Sequence, residues 1–160
     1  MKYGGYPTPC ETFAYGEVED YAANISCTGT IINPGFETGT TYGWVKTGLV
    51  SITTDSHTGL FAVSLNGPAS SVEQKIDSLC ANTTYTVSCW GKAKTMDGVY
   101  LGVKDHGGSE QTVQFPDSKD FIKKSLTFTT GPQNTGATIF FIKFSGKSPG
   151  IADDFDLVKD

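Results

Sequence analysis

The sequence predicts an all-β sandwich of two packed antiparallel sheets, and three observations carry that expectation. Apolar and polar residues alternate with a period of two along most of residues 31–158, the pattern of strands with one buried face. Turn-forming residues recur at roughly eight- to twelve-residue spacing. The composition, with 19 Gly in 160 residues, many Thr and aromatics and no long run of strong helix formers, leans the same way. Two packed sheets are the natural way to bury one apolar face per strand.

In chain order, Asn33-Pro34-Gly35 and Thr38-Gly39-Thr40 are turns. Val50 and Ile52 alternate with Ser51 and Thr53. Phe61, Val63 and Leu65 alternate with Ala62 and Ser64 and end at Asn66-Gly67-Pro68. Val72, Gln74 and Ile76 oppose Ser71, Glu73, Lys75 and Asp77. In Thr83–Lys94, Tyr85, Val87, Cys89, Gly91 and Ala93 share a core face, which leaves Trp90 on the polar face with Thr84, Thr86, Ser88 and Lys92. Asp97-Gly98 reads as a hairpin turn into Val99–Lys104, whose Val99, Leu101 and Val103 face the core. If those two strands pair across the turn, Tyr100 lies near Trp90 on one outer face. Gln111–Phe115 is a short strand, Leu126 and Phe128 mark the core face of the next, and Thr138–Phe144 is apolar on both faces. Ile151–Val158 is the last strand.

Composition also excludes. A net charge of −5 argues against a nucleic-acid interface, and the absence of arginine removes the usual bidentate clamp for phosphate or carboxylate. No apolar run approaches the roughly 20 residues of a membrane-spanning helix. Met1-Lys2-Tyr3-Gly4-Gly5 opens no signal peptide, since no apolar stretch follows. Four cysteines, the sequons Asn24-Ile25-Ser26 and Asn82-Thr83-Thr84, and the abrupt start read as a piece of a longer secreted protein. The expected bridge is Cys10–Cys27, worth roughly 3 kcal/mol by loop closure, with Cys80 and Cys89 either paired or, for Cys89 on its core face, a buried free thiol.

Two stretches resemble known families. Tyr15-Gly16-Glu17-Val18-Glu19-Asp20-Tyr21 resembles the terminal motif of the GEVED domain, a small β module of large secreted proteins. Residues 1–28 are therefore read as an N-terminal extension or linker and residues 29–160 as the domain. Within the domain, four segments in order are similar to carbohydrate-binding modules of the family 4/9 type. They are Ile31–Glu37 followed by Gly43-Trp44, His57–Val63, Leu79–Ser88, and Ile151–Leu157. The resemblance implies a galactose-binding-like β-jelly roll without catalytic activity, with a polysaccharide cleft on the concave sheet and a structural calcium. Mapped residue by residue, it places calcium ligands at Gly35, Glu37, Asp55, Thr58 and Asp153 or Asp154, and gives Trp44 to the core. Hard carboxylate and carbonyl oxygens suit calcium.

A pyranose ring offers an apolar C–H face to an aromatic platform, and its hydroxyls need polar groups close by. Trp90 and Tyr100 are the expected platforms, with Lys92, Gln74 and Glu73 as hydrogen-bonding groups and Phe115, Phe140 and Phe144 as additions. Enzyme signatures are missing: the two histidines, His57 and His106, sit in no metal, nucleophile or phosphate-loop pattern, and His57 reads as a turn residue. Asp153 and Asp154 should point to opposite faces of their strand, the wrong arrangement for an acid/base pair. The functional expectation is a non-catalytic module that attaches a secreted multidomain protein to polysaccharide, with neutral glucan, xylan or mannan favoured over a highly anionic chain. The alternative is a structural or adhesive spacer contacting neighbouring modules, favoured if residues 1–28 cover Trp90.

Overall fold

The computed structural model describes residues 27–93 and 98–160. Its strands are β1 (Val45–Thr47), β2 (Val50–Thr53), β3 (Ala62–Leu65), β4 (Ser70–Asp77), β5 (Thr84–Lys92), β6 (Val99–Lys104), β7 (Gln111–Gln114), β8 (Ile122–Thr129), β9 (Gly136–Lys143) and β10 (Gly150–Lys159). They form two five-stranded sheets, in the orders β1-β4-β9-β6-β7 and β2-β3-β10-β5-β8, with antiparallel neighbours throughout. The predicted all-β sandwich is therefore observed. Among the described residues no helix is long and apolar enough to cross a membrane. The GEVED-like run and Cys10 lie outside the described residues.

The core is made by the expected parity. Val72, Ile76, Val99, Leu101, Val103, Ile139 and Phe141 of the first sheet meet Val63, Leu65, Tyr85, Val87, Phe128, Ala152 and Phe155 of the second. Trp44 is buried, as the resemblance implies. Its ring lies 4.7 Å from Phe155 and 5.4 Å from Phe36, and its Nε1–H donates to the Asn33 carbonyl. That hydrogen bond is what allows an indole to sit in an apolar core. The bond also anchors the turn that carries Gly35.

Two expectations are corrected. β5 and β6 do not pair: β5 lies between β10 and β8 in the second sheet, and β6 between β9 and β7 in the first. Alternation fixes which side of a strand is buried but not which sheet the strand joins, so Trp90 and Tyr100 end on opposite outer surfaces. The disulfide is Cys27–Cys80, with Cα atoms 5.0 Å apart, not Cys10–Cys27. It ties the start of the domain to the turn before β5. Cys89 is the buried free thiol, its ionisation pushed well up by burial and then by the Asp153 carboxylate.

Candidate functional site

The outward residues of the first sheet form rows across its five strands. Val45, Glu73, Phe140, Gly102 and Thr112 are successive cross-strand partners, as are Thr47, Ser71, Ile142, Tyr100 and Gln114. Four interstrand gaps make each row about 19 Å long. At one end, Tyr100 and Phe144 meet edge to face at 5.5 Å, with Phe144 56% exposed, and the Phe144 N–H donates to the Gly98 carbonyl. Of Phe140 in β9 and Phe144 just past its end, Phe144 is thus the exposed one and Phe140 is covered.

Phe140 lies flat because its neighbour is a glycine. A Cβ on Gly102 would stand 2.1 Å from the ring's Cζ, so no other residue leaves the ring its bed. Above the ring, Lys104 Nζ sits 5.4 Å from the centroid and donates to Glu73 Oε2 at 2.8 Å. The Lys104 pKa is raised, first by that hydrogen bond, against a lowering by burial, with the negative charges of Glu73, Asp105 and Glu110 adding to the rise. Past this pair, Lys75, Asp77, Asp105, Asn134 and Thr138 line a polar hollow, with Thr138 Oγ1 donating to Asp105 Oδ2.

The structure separates the residues expected to bind sugar. Tyr100 and Glu73 share the outer face of the first sheet. Gln74 does not reach it: its side chain is 4% exposed on the core side, where the amide holds both backbone groups of Ile32. Phe115 is also buried. Trp90 and Lys92 stand on the outer face of the second sheet. There the 55–59 loop folds over them, His57 stacks on Trp90 at 3.9 Å, and Lys92 pairs with Asp55 while lying over Phe121. Sequence reasoning missed Gly102, Thr112 and Gln114; their signal was only the parity they share with Phe140 and Tyr100, legible once β9 is known to lie between β4 and β6.

The expected calcium ligands largely converge. A bulge in β10 between Asp153 and Asp156, with Asp154 at φ 48°, breaks the alternation that would have sent the two aspartates to opposite faces. Both now aim at the Gly35 turn, where a Cβ would stand 3.3 Å from Asp154 Oδ1 and 3.5 Å from Asp153 Oδ1. Asp153 is fully buried and accepts from the backbone N–H groups of His57, Thr58 and Asp154. Burial raises its pKa, the three donors oppose this, and the Asp154 charge adds to it. Asp154 binds His57 Nδ1 and the Thr58 hydroxyl. Glu37 lies beside Gly35 with its carboxylate turned to the amides of Leu60 and Phe61, and Asp55 is drawn off to Lys92. Among the described residues no three acidic, His or Cys side chains gather as a metal group. What remains, two carboxylates and the Thr58 hydroxyl beside the Gly35 turn, is a set of hard oxygens of the kind calcium takes.

A family model described as "Carbohydrate binding domain" matches residues 28–147. The keratan-sulfate endo-1,4-beta-galactosidase of Sphingobacterium multivorum is 37% identical over 131 residues, covering 79% of this chain and 30% of that enzyme. The chain thus spans under a third of that relative's length. Among solved structures, TmCBM61 in complex with beta-1,4-galactotriose superposes with a TM-score of 0.65 at 24% identity, covering 82% of this chain and 99% of that one. The CBM22-1 xylan-binding domain from Paenibacillus barcinonensis superposes with a TM-score of 0.58 at 17% identity, over 78% and 90% of the two chains. Both share the fold.

Proposed function

The chain belongs to the family 4/9 carbohydrate-binding domains, and from that premise we propose that it holds a secreted multidomain protein on neutral chains containing β-1,4-linked galactose, gripped across the outer face of the first sheet. Carbohydrate binding without chemistry of its own is what the family supplies; the ligand and the face are the reading made here. The observation that carries the face is the half-buried Tyr100 meeting the exposed Phe144, with Gln114 across from Tyr100 and the Glu73–Lys104 pair on the same face. An aromatic edge next to paired donors and acceptors is what a sugar ring needs, since one face of the ring is apolar and its rim is hydroxylated. One aromatic contact contributes roughly 0.5–1.5 kcal/mol beyond area burial, so two in one place matter. The row length of about 19 Å accommodates several rings in line. The galactose choice is supported by two names, since a relative is a keratan-sulfate endo-1,4-beta-galactosidase and a structural neighbour holds beta-1,4-galactotriose, while the preference for neutral chains rests on the net charge of −5 and the absence of arginine.

Such a module works by raising the local concentration of whatever it is attached to, not by chemistry. A calcium ion fits the account as a structural part, held by Asp153 and Asp154 with the Thr58 hydroxyl and carbonyls of the Gly35 turn. It would neutralise a buried carboxylate and lock β10 to the first turn. Calorimetric titration with β-1,4-galactan, xylan and mannan tests the reading. Galactan should bind, and Tyr100→Ala or Phe144→Ala should each weaken it at unchanged melting temperature. Equal binding by both variants would remove the aromatic pair from the site. Tryptophan fluorescence should stay silent in this titration, because Trp44 is in the core and Trp90 on the opposite face.

A further inference from the structure

One row past Glu73 and Phe140 on the outer face of the first sheet, Lys75, Thr138 and Lys104 are successive partners on β4, β9 and β6. There the surface sinks into a hollow of about 380 Å³, lined among others by Lys75, Asp77, Asp105, Gln133, Asn134 and Thr138. That is the size of a small-molecule pocket. Asp105 is built into its wall. The residue takes a left-handed backbone, φ 59°, its carbonyl accepts from Asn134 Nδ2 at 3.1 Å, and its Oδ2 accepts from the Thr138 hydroxyl at 2.8 Å. Asn134 is pinned in turn, its N–H donating to the Gly131 carbonyl, while the Gly131 N–H donates to the His106 carbonyl at 2.7 Å. Among the described residues, Asp105 Oδ1 accepts no hydrogen bond.

The lining narrows the ligand class. It holds no aromatic ring for an apolar ligand, and among the described residues no three acidic, His or Cys groups gather for a metal ion. Carboxylate, ammonium, amide and hydroxyl side by side match a polyhydroxylated ligand instead. The geometry points to a second sugar subsite, in which Asp105 accepts from the hydroxyls of a galactose residue further along the chain gripped at Tyr100 and Phe144. The inference rests on the proposed binding face and extends it from one aromatic patch to a chain anchored at two places. Thr138 lies four residues along β9 from Ile142, the partner of Tyr100, a distance of about 13 Å. A short oligosaccharide therefore reaches one anchor and a longer one both. A carboxylate already held in one orientation loses little freedom when it binds.

The test titrates β-1,4-galactobiose and β-1,4-galactotetraose into wild type, Asp105→Asn and Tyr100→Ala, reading backbone amide shifts, which register weak binding. Asparagine keeps the shape, tolerates the left-handed backbone and still accepts from Thr138, so the melting temperature should hold. Wild type should bind the tetrasaccharide about tenfold or more tighter than the disaccharide, and the Asp105 and Thr138 amides should move with the longer sugar. Asp105→Asn should lose about tenfold on the tetrasaccharide, the worth of one hydrogen bond to a charged group, and less on the disaccharide. Tyr100→Ala should weaken both. Wild-type affinity for the tetrasaccharide in Asp105→Asn, or an equal loss on both lengths, overturns the second subsite and leaves the aromatic face standing. So does a wild type whose Asp105 and Thr138 amides stay still, with no variant needed. A wild type that binds neither sugar overturns the binding face, and the subsite with it.

Discussion

Replacing Gly102 by Ala tests the floor of the cleft most sharply. The new methyl would stand 2.1 Å from Phe140 Cζ and 2.4 Å from Cε2, far inside contact distance, so the ring must leave its bed. Overpacking of this kind costs about 1–3 kcal/mol, or roughly 4 to 10 °C in melting temperature for a domain of about 130 residues. Lys104 loses its seat over the ring at the same time, so galactan affinity should fall as well. The cause is isolated by repeating the change in a Phe140→Ala background. There the clash is gone, and Ala in a strand interior should be better than Gly by about 0.5–1 kcal/mol. The sign of the substitution should thus reverse, giving a coupling of about 2 kcal/mol or more between the two positions, read by urea unfolding of the four proteins. Additivity within about 0.5 kcal/mol would refute the claim that Gly102 exists to let Phe140 lie flat.

Three further outcomes follow from the geometry. The Cys27–Cys80 bridge closes a 53-residue separation, so Cys80→Ser should cost about 4 kcal/mol by chain entropy; urea unfolding checks it, and a loss under 1 kcal/mol would count against the bridge. Lys104 titrates above its ordinary 10.5 in the folded state, so its pairing stabilises fully below that pH and is lost as pH rises through the higher folded value. The stability difference between wild type and Glu73→Gln should be flat through neutrality and fall away as pH rises into alkali. Calcium at a hundredfold excess over its dissociation constant should add about 2.7 kcal/mol, an increment that chelator removes and that Asp153→Ala lacks; melting curves read it.

The sequence showed where strands lie and which side of each is buried, because alternation is a local consequence of packing one face. Trp44 in the core and the convergence of Gly35, Thr58, Asp153 and Asp154 were legible because motif positions carry them. The faces of the site were not. Trp90 looked like a platform because it breaks the polar face of β5, yet that face is covered by the 55–59 loop, and its partner ring is His57. Tyr100 has the expected outward parity but belongs to the other sheet, a long-range choice that no local pattern records. Gln74 looked free to bind sugar, and its amide is instead consumed by Ile32, the kind of satisfaction that buried polar groups require. The β10 bulge is likewise invisible in alternation, although it is what turns two aspartates toward one point.

Cover of Trp90 by residues 1–28 was the observation expected to favour a spacer; residues 1–26 lie outside the described ones, and it is His57 of the 55–59 loop that stacks on Trp90. The outer face of the first sheet carries the half-buried Tyr100 against the exposed Phe144, with the Glu73–Lys104 pair on the same face. Which face a glycan touches is therefore the decisive question. Backbone amide shifts of the isotopically labelled protein, followed on addition of a β-1,4-galactan tetrasaccharide, answer it residue by residue. The account expects the largest changes at Tyr100, Gly102, Gln114 and Phe144, with Trp90, Lys92 and Phe121 unmoved. Changes gathered at Trp90 and Phe121, or none on either face, would contradict it.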